Sequence, residues 1–199
     1  MATRLSSDER REHLLHVGVE LIGRHGTADI SIEEIARAAG VSKGLLYHYF
    51  PTKSDFFVAA FARSQAEMDQ AQVRDPELTP LEQFDRDLDA FLGFVEAHAE
   101  GYLAVVNARG REPRLQELVE RRRRRRVDEL VAFAAALEDV PRDAVRTPLL
   151  VAAIHGWLGF TEAVVTSWLS DREIARQEVH ELLRSALLQV LESPHVRSG

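Results

Sequence analysis

Four pairs in this chain, each a hydroxyl residue followed three positions later by an acid, stand where a helix is expected to begin: Ser31 and Glu34, Thr52 and Asp55, Thr79 and Glu82, Ser170 and Glu173. This spacing is a capping box. The hydroxyl accepts the N–H at the third helical position, the carboxylate accepts the cap's own N–H, and a helix begins. Pro80 adds to the third box, because a missing donor and a fixed φ suit the first helical position. Between these starts apolar residues recur by threes and fours, as in Leu14, Leu15, Val17, Gly18, Leu21 and Ile22. No alternating strand pattern appears. The chain is therefore expected to be all-α, with about nine helices.

The punctuation gives boundaries. Helix one is expected from about Ser7 to Arg24, ended at His25-Gly26 with Gly26 as a left-handed cap. Helix two opens at Ser31, Ala39-Gly40-Val41 breaks the chain, and Ser42 caps helix three. Pro51 stops helix three, since proline lacks a donor and restricts Phe50 before it. Helices four and five follow Thr52 and Thr79, with a short helix six from Tyr102 to Asn107. Pro113 opens helix seven. Thr147-Pro148 opens helix eight, or kinks it if it starts near Asp143. Helix nine is expected from the Ser170 box to Ser193-Pro194, with residues 195–199 frayed.

Bulk properties bound the function. Of 199 residues 45% are apolar, enough for a sizeable core. With no cysteine there is neither a disulfide framework nor a thiolate metal site. The N-terminus MATRLSSDERRE does not read as a signal peptide, and no apolar run reads as long enough to cross a bilayer. A cytoplasmic protein without membrane contact is expected. The net charge of −7 argues against a generic nucleic-acid coat. Even the first 60 residues hold 7 Lys and Arg against 8 Asp and Glu. DNA binding would need locally placed groups and two copies.

Helix two, a three-residue break with Gly40, and helix three have the layout of a helix-turn-helix. Ile35, Ala39, Val41, Leu46 and Tyr49 can face its interior, with small Ala36 at the helix crossing. Ser42, Lys43, Gly44, Leu45, Tyr47 and His48 are left outward, a set suited to phosphates and base edges. Of the consecutive rings Tyr47 to Phe50, Tyr49 and Phe50 should pack inward while Tyr47 and His48 face DNA.

Residues 10 to 57 resemble the N-terminal domain of the TetR family of bacterial transcriptional repressors. The match lies in the helix-one run ending in His25-Gly26, Ser31-Ile-Glu-Glu-Ile-Ala36, Ala39-Gly-Val-Ser-Lys-Gly44, Leu46-Tyr-His-Tyr-Phe50 and Lys53. The resemblance implies a DNA-binding head at 1–52 and an effector-binding and dimerisation domain at 53–199. It implies a homodimer on a double-stranded operator, most simply a repressor released by a small molecule, with a ligand-independent regulator or an activator as alternatives. Lys43, Gly44 and Leu45 would lie near base edges, and Ser31, Ser42, Tyr47, His48 and Lys53 at phosphates. Leu45 departs from the small or hydroxylated residue common there; it could touch a thymine methyl.

The remaining features carry less specific chemistry. His13 and His16 sit three apart with no implied third ligand, so a metal site is not expected, and no cofactor is implied. The histidines near Glu100 and Glu181 lack zinc-protease spacing, and neither a phosphate loop nor a nucleophile elbow occurs. A helical enzyme is the distant alternative. Arg121 to Arg126 is a run of six arginines flanked by Leu115, Val119, Leu130, Phe133 and Leu137. Extending that apolar stripe lands on Arg122 and Arg126; the others can pair with Glu117, Glu120, Asp128 and Glu129. Either an internal acid such as Glu162 or Asp89, or an anionic ligand, would meet an inward arginine. A largely apolar effector pocket is expected from Phe61, Met68, Phe84, Leu88, Phe91, Tyr102 and Phe160, with Arg122 or Arg126 as its polar feature. Helices eight and nine are the expected dimer seam, from Ala152, Ala153, Gly156, Gly159 and Ala163 on one and an apolar stripe including Leu183 and Leu187 on the other.

Overall fold

The computed structural model describes residues 6–71, 74–108, 113–137 and 147–193, with backbone alone for 22–29, 71, 104 and 107–108. Within these residues the chain forms nine helices and no strand: α1 (Ser7–Asp29), α2 (Ile32–Ala38), α3 (Lys43–Tyr49), α4 (Lys53–Ala71), α5 (Pro80–Ala97), α6 (Ala99–Ala108), α7 (Pro113–Ala136), α8 (Pro148–Asp171) and α9 (Arg176–Glu192). Residues 194–199, and the alternative start of helix eight near Asp143, lie outside the described residues.

Three of the four boxes close as their spacing requires. Ser31 and Glu34, Thr52 and Asp55, and Thr79 and Glu82 each exchange both hydrogen bonds at the starts of α2, α4 and α5. Ser6 and Glu9 form a further box that opens α1 and that the sequence reading passed over. The Ser170 box does not form. Ser170 Oγ donates back to the Thr166 carbonyl at 2.8 Å, α8 runs on to Asp171, and Arg172 closes it in the left-handed region at φ 52°. α9 begins at Arg176 instead, where the Ala175 N–H donates to the Glu178 carboxylate at 3.0 Å. A serine inside a helix satisfies its hydroxyl on the preceding turn, so spacing alone could not assign this one to a cap. α1 also outruns its expected end at Arg24. It passes through Gly26 and stops where Ile30 becomes extended and buries its side chain.

Two compact units result, each described by itself. One comprises Met1–Asp69 with His98–Val119, the other Gln70–Ala97 with Glu120–Gly199. The core of the first holds Leu14, Leu15, Ile30, Ile35, Leu46, Phe50 and Phe56, all nearly or wholly buried. Each such side chain contributes about 1.5–3 kcal/mol of burial. Phe50 and Phe56 meet edge to face at 5.1 Å. Gly18 gives Phe56 its room: a Cβ there would lie 1.9 Å from the ring's Cζ. A smaller cluster joins Phe61 to Leu115 and Val119.

In the second unit Phe84 stacks on Phe133 at 4.9 Å and meets Trp157 at 6.1 Å. Trp157 Nε1 donates to the Leu183 carbonyl at 2.9 Å, joining α8 to α9. Arg184 donates to Asp85 at 2.8 Å, and His180 Nε2 to the Asp85 carbonyl at 3.0 Å, joining α9 to α5. Leu183 and Leu187 are 0% exposed and belong to this core, so they cannot be seam residues as expected. The Val179, Leu183, Leu187 and Leu191 face of α9 is consumed by its own protomer, while Leu182 is exposed. α8 corrects a second expectation: it is long and apolar enough by composition to cross a membrane, with mean hydropathy 1.5. Many of its apolar residues are not inward. Leu149, Ala152, Gly156, Gly159, Phe160 and Ala163 form an exposed stripe at helical spacing, opposite buried Ile154, Trp157, Val165 and Trp168.

Candidate nucleic-acid interface

The site begins with the turn between α2 and α3. Gly40 has φ +67°, a region that L side chains rarely adopt. The Val41 N–H donates to the Ala36 carbonyl at 2.9 Å and the Gly40 N–H to the Arg37 carbonyl at 3.2 Å. This bond pair is a Schellman motif, which ends α2 and turns the chain sharply. Ser42 then caps α3 by accepting the Leu45 N–H at 3.2 Å.

α3 divides as expected. Leu46 and Phe50 are buried and Tyr49 is half-buried, its hydroxyl 3.3 Å from Ser7 Oγ. Arg11 covers the Phe50 ring at 5.3 Å. On the other side Ser42, Lys43, Gly44, Tyr47 and His48 are exposed, and nothing lies within 4 Å of a Cβ placed on Gly44. His48 stands edge-on to Tyr49 at 5.3 Å. Leu45 is half-buried rather than fully outward. Ser31 is half-buried at the start of α2, its hydroxyl engaged by Glu34. Lys53, half-buried, opens α4 with its ammonium 5.2 Å from the Phe57 ring centre.

Two charged contacts were not legible in the sequence. Lys43 forms an ion pair with Glu33 of α2 and lies 5.7 Å from the Tyr47 ring centre. Lys43 Nζ donates to the Glu33 carboxylate, and this hydrogen bond, with the carboxylate's charge behind it, raises the Lys43 pKa and lowers that of Glu33. Arg114 of α7 pairs with Asp55 at the start of α4. The Thr52 hydroxyl chiefly, then Arg114, holds the Asp55 carboxyl below its ordinary value. Both pairs join different helices, so no spacing rule along one helix could have found them.

The expected effector residues are divided between the two units. Phe61, Met68 and Tyr102 fall in the first unit; Phe61 and Met68 are buried and Tyr102 is half-buried. Phe84, Leu88, Phe91, Phe160, Arg122 and Arg126 fall in the second. There Phe84 and Leu88 are core, Phe91 is half-buried, and Phe160 is 40% exposed on the outer stripe of α8. Arg122 and Arg126 are half-buried, as the stripe predicts, and Arg126 donates to Glu129 at 3.1 Å. Arg123 reaches another helix, donating to the His155 carbonyl of α8 at 2.9 Å. An open groove of about 600 Å³ in the second unit is lined by Asp89, Glu96, Arg176, Gln177 and His180, none of them from the apolar set.

Comparison with known proteins places this geometry. Residues 14–60 match a family described as bacterial regulatory proteins, tetR family. Residues 80–190 match one described as tetracyclin repressor-like, C-terminal domain. The HTH-type transcriptional regulator AcrR of Shigella flexneri is 34% identical over 71 residues, 36% of this chain and 33% of AcrR. The chain thus spans only about a third of that curated relative. The HTH-type transcriptional regulator BetI of Escherichia coli is 28% identical over 192 residues, 92% of this chain and 94% of BetI. A crystal structure of a tetR-family transcriptional regulator from Streptomyces coelicolor superposes with a TM-score of 0.79 at 26% identity, covering 94% of this chain and 82% of that one.

Proposed function

The chain belongs to the TetR family of bacterial regulatory proteins, and from that premise we propose that it is a cytoplasmic homodimeric transcriptional repressor, released from its DNA operator by a small apolar molecule. The observation that carries the reading is the exposed side of α3. Lys43, Gly44, Tyr47 and His48 share it, and the opposite side is locked into a buried core. A rigid helix presenting a cation, open backbone and an aromatic hydroxyl suits a DNA major groove. Lys43, Gly44 and Leu45 are assigned to base edges, and Ser31, Ser42, Tyr47, His48 and Lys53 to phosphates. Membership of a family of regulators sets the enzyme reading aside.

Two copies are needed because the charge of −7 gives no general attraction to DNA. The outer stripe of α8, with α9 beside it, is the proposed seam. Its small residues let a second α8 approach closely, and Leu149 and Phe160 supply apolar area. A twofold axis there would set two α3 helices one DNA turn apart, ~34–36 Å. Functionally the head is residues 1–52, and residues 53–199 hold the effector and the partner. α4 starts directly after the head, so an effector that displaces α4 changes head spacing. A ~10²-fold preference of that effector for the released state supplies about 2.7 kcal/mol of coupling.

The test is selection from a pool of randomised duplexes at near-physiological salt. A twofold-symmetric consensus that the protein retains, with affinity falling steeply as salt rises, is the expected outcome. A reporter placed behind that consensus then separates repression from activation. Failure to enrich any duplex would overturn the reading.

A further inference from the structure

We propose that Glu33 is a built-in competitor for Lys43: it holds the lysine's ammonium on the free head, and DNA must take that ammonium over when it binds. The inference rests on the DNA-binding reading and deepens it. Lys43 is the first residue of α3 and shares its exposed side with Gly44, Tyr47 and His48. Its partner Glu33 stands in the first turn of α2, so the contact bridges the two helices of the motif. The two side chains are 52% and 49% exposed, so no burial forces them together. What draws them is charge. A lysine at a helix N-terminus faces the positive end of the helix dipole, and a carboxylate beside it offsets that repulsion. Tyr47 flanks the ammonium on the same side. The raised Lys43 pKa accords with a cation held by Glu33.

The pair has a direct consequence for recognition. A phosphate or a guanine edge competes with a carboxylate already in place, and Glu33 itself repels the backbone. Glu33 is therefore a positioning residue that sets DNA affinity through Lys43. It is also dispensable to the fold, because Glu34 carries the capping box of α2 and Glu33 is exposed.

The experiment is a double-mutant cycle on the full-length dimer, using Glu33→Gln, Lys43→Met and both together. The probe is the duplex best enriched by the wild type from the randomised pool, at salt low enough for Lys43→Met still to bind. Glu33→Gln should bind about two- to fivefold more tightly with Lys43 present, since an exposed ion pair is a weak competitor. In the Lys43→Met background the gain should vanish or shrink to the part due to phosphate repulsion. Melting of Glu33→Gln should fall only slightly below the wild type, by the loss of one exposed pair. An unchanged affinity for Glu33→Gln overturns the proposal, as does an equal gain in both backgrounds, which would make Glu33 a plain negative charge. Enrichment of no duplex by the wild type overturns the DNA-binding reading and this proposal with it.

Discussion

Gly18 shows what one residue decides in the first unit. Any side chain there meets Phe56, which is wholly buried. Gly18→Ala should cost about 1–3 kcal/mol through overpacking, read from the urea midpoint, and Phe56→Leu should recover part of the loss. An unchanged midpoint would mean that α1 shifts freely. The sequence placed Gly18 on the apolar face of its helix but could not name a neighbour 38 positions away. The rings of α3 were more legible. Pro51 fixes the end of the helix, and period alone then sends Tyr47 and His48 outward and Phe50 inward. At the outward positions Tyr47→Ala and Lys53→Ala should weaken binding about equally on selected and random duplexes. Lys53→Ala should also reduce the salt slope by about one unit. Selective loss on the enriched duplex alone would move these residues from phosphate to base contacts.

At the scale of elements, caps were read well where the hydroxyl lay outside any helix rather than in a helix's last turn. Ser31, Thr52 and Thr79 met that condition, and Ser170 did not. The break at Gly40 was legible because few sequences other than glycine suit a left-handed turn. The start of α4 carries a pH prediction. Its Asp55 carboxyl is held below the ordinary aspartate value of 3.8 by Thr52 and then Arg114. A depressed carboxyl contributes stability above its unfolded value and loses it as pH falls through the folded one. The wild type should therefore exceed Asp55→Asn in urea midpoint at pH 6. The gap should narrow below about pH 4 and close at lower pH. A gap independent of pH would show that the asparagine perturbs packing instead.

For the whole molecule, the α8 stripe and the α9 core make opposite predictions for the same kind of substitution. Gly156→Arg or Ala163→Arg, on the exposed stripe, should give a folded monomer by sedimentation. Its DNA affinity should fall by about 10²–10⁴, since each head then binds without its tethered twin. Leu183→Arg should instead unfold the second unit, because an unpaired charge would enter a fully buried position. A stable monomer from Leu183→Arg, with Gly156→Arg still dimeric, would relocate the seam. Sequence alone could not separate these helices, because a buried face and an exposed apolar face share one apolar period. The first unit is also built from two separated stretches of chain, and Phe61 clusters with Leu115 and Val119 of the later one. On a ribosome, the fifty residues from 69 to 119 take roughly 2.5–10 s to add at ~5–20 residues per second. For those seconds the earlier stretch of the first unit waits with Phe61 short of its α7 neighbours, a window in which a chaperone or a neighbouring nascent chain can reach it before its own α7 does.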